Sequence, residues 1–275
     1  MLRSIRDLEG YAIHATDGVV GDVKDFYFDD AAWVIRYLIV DTGTWLSSRK
    51  VLISPIAIGH ANTADRQLPV SITKEQVKSS PDIDTQRPVS RQQEMYFVTH
   101  YGYPQYWGET GLWGSNMYPR MMMPEFVSTP IVVEPRLDHP DLQAEAEAEH
   151  AQEDPHLRGI NEVVSYHIHA SDGEIGHVQG MLVDEETWAI RYLIIDTSNW
   201  WLGHQVLIAP EWIDKVSWAD ATVSVKLTQQ QVKDAPPYDG TTAVDRQAEL
   251  AIWAHYGHAG YWTDEPGRVR IVSAR

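Results

Sequence analysis

The chain has 275 residues, no cysteine and a formal net charge of -17, which excludes disulfides, thiolate metal centres and a cysteine nucleophile. The negative balance repels nucleic-acid phosphates and anionic lipid, whose binders carry a basic patch or stripe, so no nucleic-acid partner is expected. The length suits two domains of ordinary size.

The opening MLRSIRDLEG has no apolar stretch of signal-peptide length, and no later segment offers the roughly 18 apolar residues of a membrane span. A soluble, cytoplasmic protein is expected, with no integral membrane segment. From Tyr11 the pattern is that of strands. Asp17-Gly18 marks a hairpin, because glycine supplies the positive φ a tight turn needs. Asp29 precedes a second turn at residues 30–32. Trp33 to Asp41 is β-branched and aromatic with apolar side chains on both parities, which predicts a strand covered on both faces. Shorter strands are expected at Lys50 to Ile53 and Leu68 to Ile72. Thr73-Lys-Glu-Gln76 fits a capping box that starts a short helix. A second helix follows over Ser90 to Thr99, with Arg91 and Glu94 on one face. It ends in the aromatic run Tyr101-Gly-Tyr-Pro-Gln-Tyr-Trp107.

Residues 108–160 have a different character, with Met121-Met-Met-Pro124, several prolines, an acidic Ala/Glu run from Ala144 to Glu149 and a candidate short helix at 140–150. They are expected to be a linker. Beyond it the first pattern returns at a constant offset of 155, from Tyr166 to Trp262, with no gap and about 40 of 97 aligned residues identical. Asp172-Gly173 repeats the hairpin signal, Asp184 the turn before 185–187, Trp188 to Asp196 the central strand, Gln205 to Ile208 and Thr222 to Leu227 the shorter strands, Thr228 to Gln231 the capping box, and Asp245 to Ala254 the second helix with Arg246 and Glu249. The expected organisation is therefore a domain over 1–107, a linker over 108–160, a second domain over 161–265 and a tail over 266–275. The class is mainly β with short helices: two tandem small β-barrels, each with a C-terminal helical cap.

The combination of the Asp-Gly turn, the Ile35-Arg-Tyr37 strand and Asp41-Thr-Gly-Thr-Trp-Leu-Ser-Ser-Arg-Lys-Val-Leu-Ile-Ser-Pro55 resembles the PRC-barrel family. The resemblance covers both copies. It implies a relation to the cytoplasmic domain of the photosynthetic reaction centre H subunit and to the C-terminal domain of the 16S rRNA processing factor. In the second copy Arg49 and Lys50 are replaced by His204 and Gln205, so any role of that basic pair belongs to one half.

No catalytic motif stands out: there is no G-x-S-x-G, Walker loop, Rossmann glycine pattern or H-E-x-x-H, and the expectation is a protein without enzymatic activity. His167 and His169 share a strand face, a spacing compatible with two metal ligands, and only His169 has a counterpart, His14. No further ligand completes a known spacing, so neither metal nor cofactor is expected. Arg36 and Arg191, with Asp41 and Asp196, are expected to form structural charge pairs, since an arginine in a packed strand needs an acceptor. Tyr101, Tyr106, Trp107, Tyr256, Tyr261 and Trp262, with Arg49 and Lys50, are the candidate interaction surface; the competing expectation is that each aromatic tail folds back onto a barrel. The copies can pair within the chain or as a homodimer. The function these features suggest is a binding or adaptor protein with a protein partner or small ligand. An accessory subunit peripheral to a membrane-bound photosynthetic or electron-transfer complex is one alternative, and a ribosome or RNA maturation factor a second.

Overall fold

The computed structural model describes residues 1–81, 89, 91–107, 111–123, 157–197 and 204–263. Strands form where β-branched and aromatic residues cluster between turn signals. β1 (Leu2–Ser4) and one helical turn, α1 (Ile5–Leu8), precede β2 (Ala12–Ala15), β3 (Gly18–Asp29), β4 (Val34–Asp41), β5 (Lys50–Ile53), β6 (Gln67–Pro69), α2 (Lys74–Lys78) and α3 (Arg91–Tyr101). A parallel series follows as β7 (Leu157–Gly159), α4 (Ile160–Val163), β8 (His167–Ala170), β9 (Gly173–Asp184), β10 (Ile190–Asp196), β11 (Gln205–Ile208), β12 (Ile213–Ser217), β13 (Thr222–Val225), α5 (Gln229–Lys233) and α6 (Arg246–Tyr256). The protein is mainly β with short helices. One sheet has the order β5-β4-β3-β2-β6 with β7 on β3; the other has β11-β10-β9-β8-β13-β12 with β1 on β9, and neither path closes on itself. Among the described residues, no helix is long and apolar enough to cross a membrane.

Local chemistry explains the shared frame. The strand β4 is buried from Val34 to Val40, as its two-sided apolar pattern requires. Both capping boxes form: Thr73 Oγ1 accepts from Gln76 N, and Thr228 Oγ1 from Gln231 N, each at 3.2 Å. The aspartates of the Asp-Gly turns have a second task, because Asp17 Oδ1 accepts from Lys74 N at 2.8 Å and Asp172 Oδ1 from Gln229 N at 2.7 Å. Each hairpin is thereby tied to the first free amide of the helix that follows. Gly21 and Gly176 sit against the next strand, where a Cβ would lie 2.0 Å from Asp41 O and from Asp196 O; no other residue fits.

The chain divides into two units that do not follow the copy boundaries. The first comprises residues 4–163 and 183–190, the second 1–3, 164–182 and 191–275. In the first unit β7 extends the sheet at the end of β3, pairing Tyr27 with Gly159, Phe28 with Arg158 and Asp29 with Leu157. Leu157 is fully buried in a cluster with Tyr27, Tyr37, Ile39, Leu52, Val89 and Phe97, and Arg158 Nε lies 3.2 Å from Asp30 Oδ2. Residues 183–190 join the same unit, with Ile190 N donating to Trp33 O at 2.7 Å and Ile35 N to Trp188 O at 2.9 Å. The expected linker is corrected accordingly. Its described parts, 111–123 and 157–160, contribute to the core, because Trp113, Met122, Leu157 and Ile160 supply apolar surface that is buried here. Trp113 Nε1 also donates to Thr187 O at 2.8 Å. The candidate helix at 140–150 and the tail at 266–275 lie outside the described residues.

Candidate functional site

In each unit the C-terminal helix carries a buried glutamate, Glu94 or Glu249, one of the pair expected to share a helix face with Arg91 or Arg246. Glu249 on α6 is 3% exposed; its Oε1 accepts from Tyr192 OH at 3.0 Å and from Tyr261 OH at 2.8 Å, and Arg246 reaches Oε2 at 2.9 Å. Trp253 Nε1 donates to Tyr192 OH at 2.8 Å, which closes the knot. In the first unit Glu94 on α3 accepts from Tyr106 OH. Burial, and then the neighbouring glutamate, push the Tyr106, Tyr192 and Tyr261 hydroxyls well above the ordinary phenol pKa, so they remain donors. These contacts pull each aromatic tail back onto its own unit. Tyr106, Tyr256 and Tyr261 are buried, and Tyr101, Trp107 and Trp262 are half-buried. The candidate aromatic interaction surface is therefore corrected: its buried members are internal anchors, Tyr106 and Tyr261 held by hydrogen bonds to Glu94 and Glu249 and Tyr256 by its ring contact with Trp212. Tyr101, its hydroxyl pushed up to about 12 by burial, stacks on Tyr103 at 5.5 Å.

Arg36 also changes its expected partner. Arg36 and Asp41 are an odd number of residues apart on one strand, so their side chains leave opposite faces. Arg36 instead reaches across the hairpin to Asp29 Oδ2 at 3.2 Å and donates to Leu112 O at 2.6 Å, with its guanidinium 3.8 Å from the Tyr106 ring centroid. Asp29 Oδ1 meanwhile accepts from the turn amides of Ala31 and Ala32. Burial alone would raise the Asp29 carboxyl, but Arg36 and these amides outweigh it and hold its pKa below the ordinary value. Asp41 pairs in register with Lys50 and accepts from Gly43 N. Arg191 stacks on the Tyr261 ring at 3.9 Å, the same arrangement as Arg36 on Tyr106; Asp196 pairs in register with Gln205. Arg49 donates to the carbonyls of Lys78 and Ser80 and so fastens the end of α2, while Lys50 is exposed. His167 and His169 project from β8, with His167 Nδ1 2.8 Å from Glu174 Oε1.

One outward feature of the first unit is concave. A groove of about 520 Å³ is bounded by the β3 start (Val19, Val20, Asp22, Lys24), by Asp41 and the loop that follows, including Trp45, and by Lys74. Trp45 Nε1 donates to Val20 O, and Lys74 Nζ stands 4.4 Å from its ring centroid. Val19 is 47% exposed at the rim. Trp45 was not among the expected site residues, although it lies within the stretch that carried the family resemblance. The strand order, the Asp-Gly hairpin and this loop all fall in one segment. Residues 2–77 match the PRC-barrel domain. No curated protein matches the chain. The PRC-barrel match ends within α2, so α3, Glu94 and Tyr106 are additions that cap the domain from outside it.

Within the PRC-barrel segment, Asp25 holds the incoming β7–α4 piece. Its Oδ1 accepts from Asn161 N at 3.2 Å and Phe26 N at 2.8 Å. Burial raises its pKa to about 6, the two amides and Lys50 pull down, and Glu9 pushes up. A carboxyl whose pKa is raised by folding contributes stability that is complete below its ordinary value and lost as pH rises through about 6. Asp25→Asn keeps an acceptor for both amides and removes the charge. It is expected to stabilise the first unit at pH 7.5 by up to about 3 kcal/mol, with the gain vanishing near pH 4; urea unfolding at the two pH values checks this.

Proposed function

We propose that the chain is a binding or adaptor protein without enzymatic activity, built from two PRC-barrel modules of which residues 161–265 form the second, and that it engages a protein segment at the Trp45 groove. The second module is supported by the recurrence of β2, β3, β5, both helices and both capping boxes at the same offset. The observation that carries the binding reading is the pinned indole: Trp45 is fixed by its hydrogen bond to Val20 O, flanked by the exposed Val19 and covered on one face by Lys74. A rigid aromatic platform loses little side-chain entropy on binding, and tryptophan is over-represented among the residues that dominate interface energy. Asp22, Asp41 and Lys24 around it supply a polar rim of both signs.

The test is affinity capture with the full chain beside Trp45→Ala and Val19→Glu, each checked for unchanged unfolding. A partner retained by the wild type and lost, at least tenfold, from both variants is the expected result. Identical partner lists would remove the groove from the reading, and robust turnover of any substrate by the wild type would overturn the non-enzymatic part.

A further inference from the structure

The hairpin β8–β9 of the second unit presents a concentration of metal-binding side chains on its outward face. His167 and His169 are two residues apart on β8 and leave the same side. Across the ladder His177 is the register partner of His167, and Glu174 that of His169. Their neighbours Ile168, Ile175 and Val178 are fully buried, which fixes the four polar residues on the opposite, outward side. Histidine makes up 12 of the 275 residues, so three imidazoles on adjacent positions of one hairpin exceed the background. The corresponding positions of the first copy are Ala12, His14, Val19 and Asp22, with one imidazole among them. The frame is shared and the donors are not.

We propose that His167 and His177, joined by His169, bind a first-row divalent ion of the zinc, copper and nickel class. Directly opposed residues of an antiparallel pair have Cβ atoms about 4.5–5.5 Å apart, a span that one ion bridges through two imidazole nitrogens at about 2.0–2.1 Å each. Glu174 Oε1 lies 2.8 Å from His167 Nδ1; with the proton on that nitrogen, Nε2 is left as the ligand, and the carboxylate orients the ring from behind. Among the described residues no three such side chains converge as a ready-made centre. The ion instead gathers side chains that core packing leaves free to turn: those of His167 and Glu174 are 56% and 51% exposed, and His169 and His177 are half-buried. Imidazole donors select these metals, whereas calcium and magnesium require oxygen ligands. A filled site cross-links β8 to β9 and gives the second module a ligand that the first does not take.

Calorimetric titration of zinc chloride into the untagged full chain, with thermal unfolding followed in parallel, tests the assignment. One equivalent is expected to bind and to raise the unfolding temperature of the second unit. His167→Ala and His177→Ala each weaken binding at least tenfold, Glu174→Gln weakens it about tenfold, and His14→Ala leaves it unchanged; excess magnesium does not compete. All four positions are outward, so the variants keep the wild-type circular dichroism. Absence of zinc binding by the wild type overturns the proposal. So does equal affinity in the His167→Ala/His177→Ala double variant, which would put the ion on other histidines such as His139, His150 or His156.

Discussion

Glu249→Ala is expected to destabilise the second unit by about 2–6 kcal/mol, because it leaves two buried tyrosine hydroxyls without their acceptor at about 1–3 kcal/mol each. The truncation leaves Tyr192 OH, Tyr261 OH and Arg246 without their shared acceptor, in a site where Glu249 itself is 3% exposed. Each buried donor left unsatisfied costs about 1–3 kcal/mol, and the methylenes lost leave a gap between α6 and the sheet. Glu249→Gln keeps one carbonyl oxygen for the two tyrosines but turns an amide toward Arg246, so its cost is expected to be about half. Urea unfolding followed by tryptophan emission reads both, since Trp253 donates to Tyr192 and lies within the knot. Variants within about 0.5 kcal/mol of wild type, the scatter of surface substitutions, would mean that the glutamate does not hold the helix.

Arg36→Ala is expected to cost the first unit a similar amount, about 3–5 kcal/mol at pH 7. It strands the Asp29 carboxylate, which is 6% exposed, removes a donor from Leu112 O and takes the guanidinium from the Tyr106 ring. The pH dependence gives the cause away. In the wild type the depressed Asp29 pKa contributes stability above its ordinary value that is lost as pH falls through the folded value. In the variant, burial acts without Arg36 to oppose it and Asp29 becomes easier to protonate, so the deficit shrinks on acidification toward pH 4. Arg36→Lys is not expected to rescue, because one ammonium cannot serve a carboxylate and a carbonyl with the geometry of the planar fork. A deficit independent of pH would assign the loss to packing alone.

Much of the frame was legible in the residues. The Asp-Gly turns, the two-sided apolar strand at Ile35 to Val40 and both capping boxes act through neighbours in sequence, and they appear where those neighbours are. What escaped depends on distant partners. Leu157–Gly159 is too short to show an alternation, and its pairing to Tyr27–Asp29 crosses more sequence than any local pattern spans. Surrounded by prolines and glutamates, it resembled linker. Glu94 and Glu249 follow Arg91 and Arg246 by three residues, a spacing that on an isolated helix means a solvated ion pair. Their burial is set by Tyr106 and Tyr261, each twelve residues further on. The duplication held the missing clue, because a Glu and a Tyr kept at the same separation in both copies is a contact that the frame requires. Arg36 was assigned the right chemistry and the wrong acceptor, since only the hairpin register brings Asp29 to it.

The first unit takes residues 183–190 from the second copy and 157–163 from the segment before it, and this is the claim on which the rest depends: the unit that carries the groove is completed by residues far beyond the PRC-barrel match. A chain ending at Met123 contains the entire PRC-barrel match but lacks 157–163 and 183–190, which supply Leu157, Ile160 and the partners of Trp33 and Ile35. Compared with the full chain in urea, it is expected to show no cooperative unfolding transition and fast amide exchange at Phe28 and Ile35. A cooperative transition at the full-length midpoint, with those amides still protected, would contradict the account.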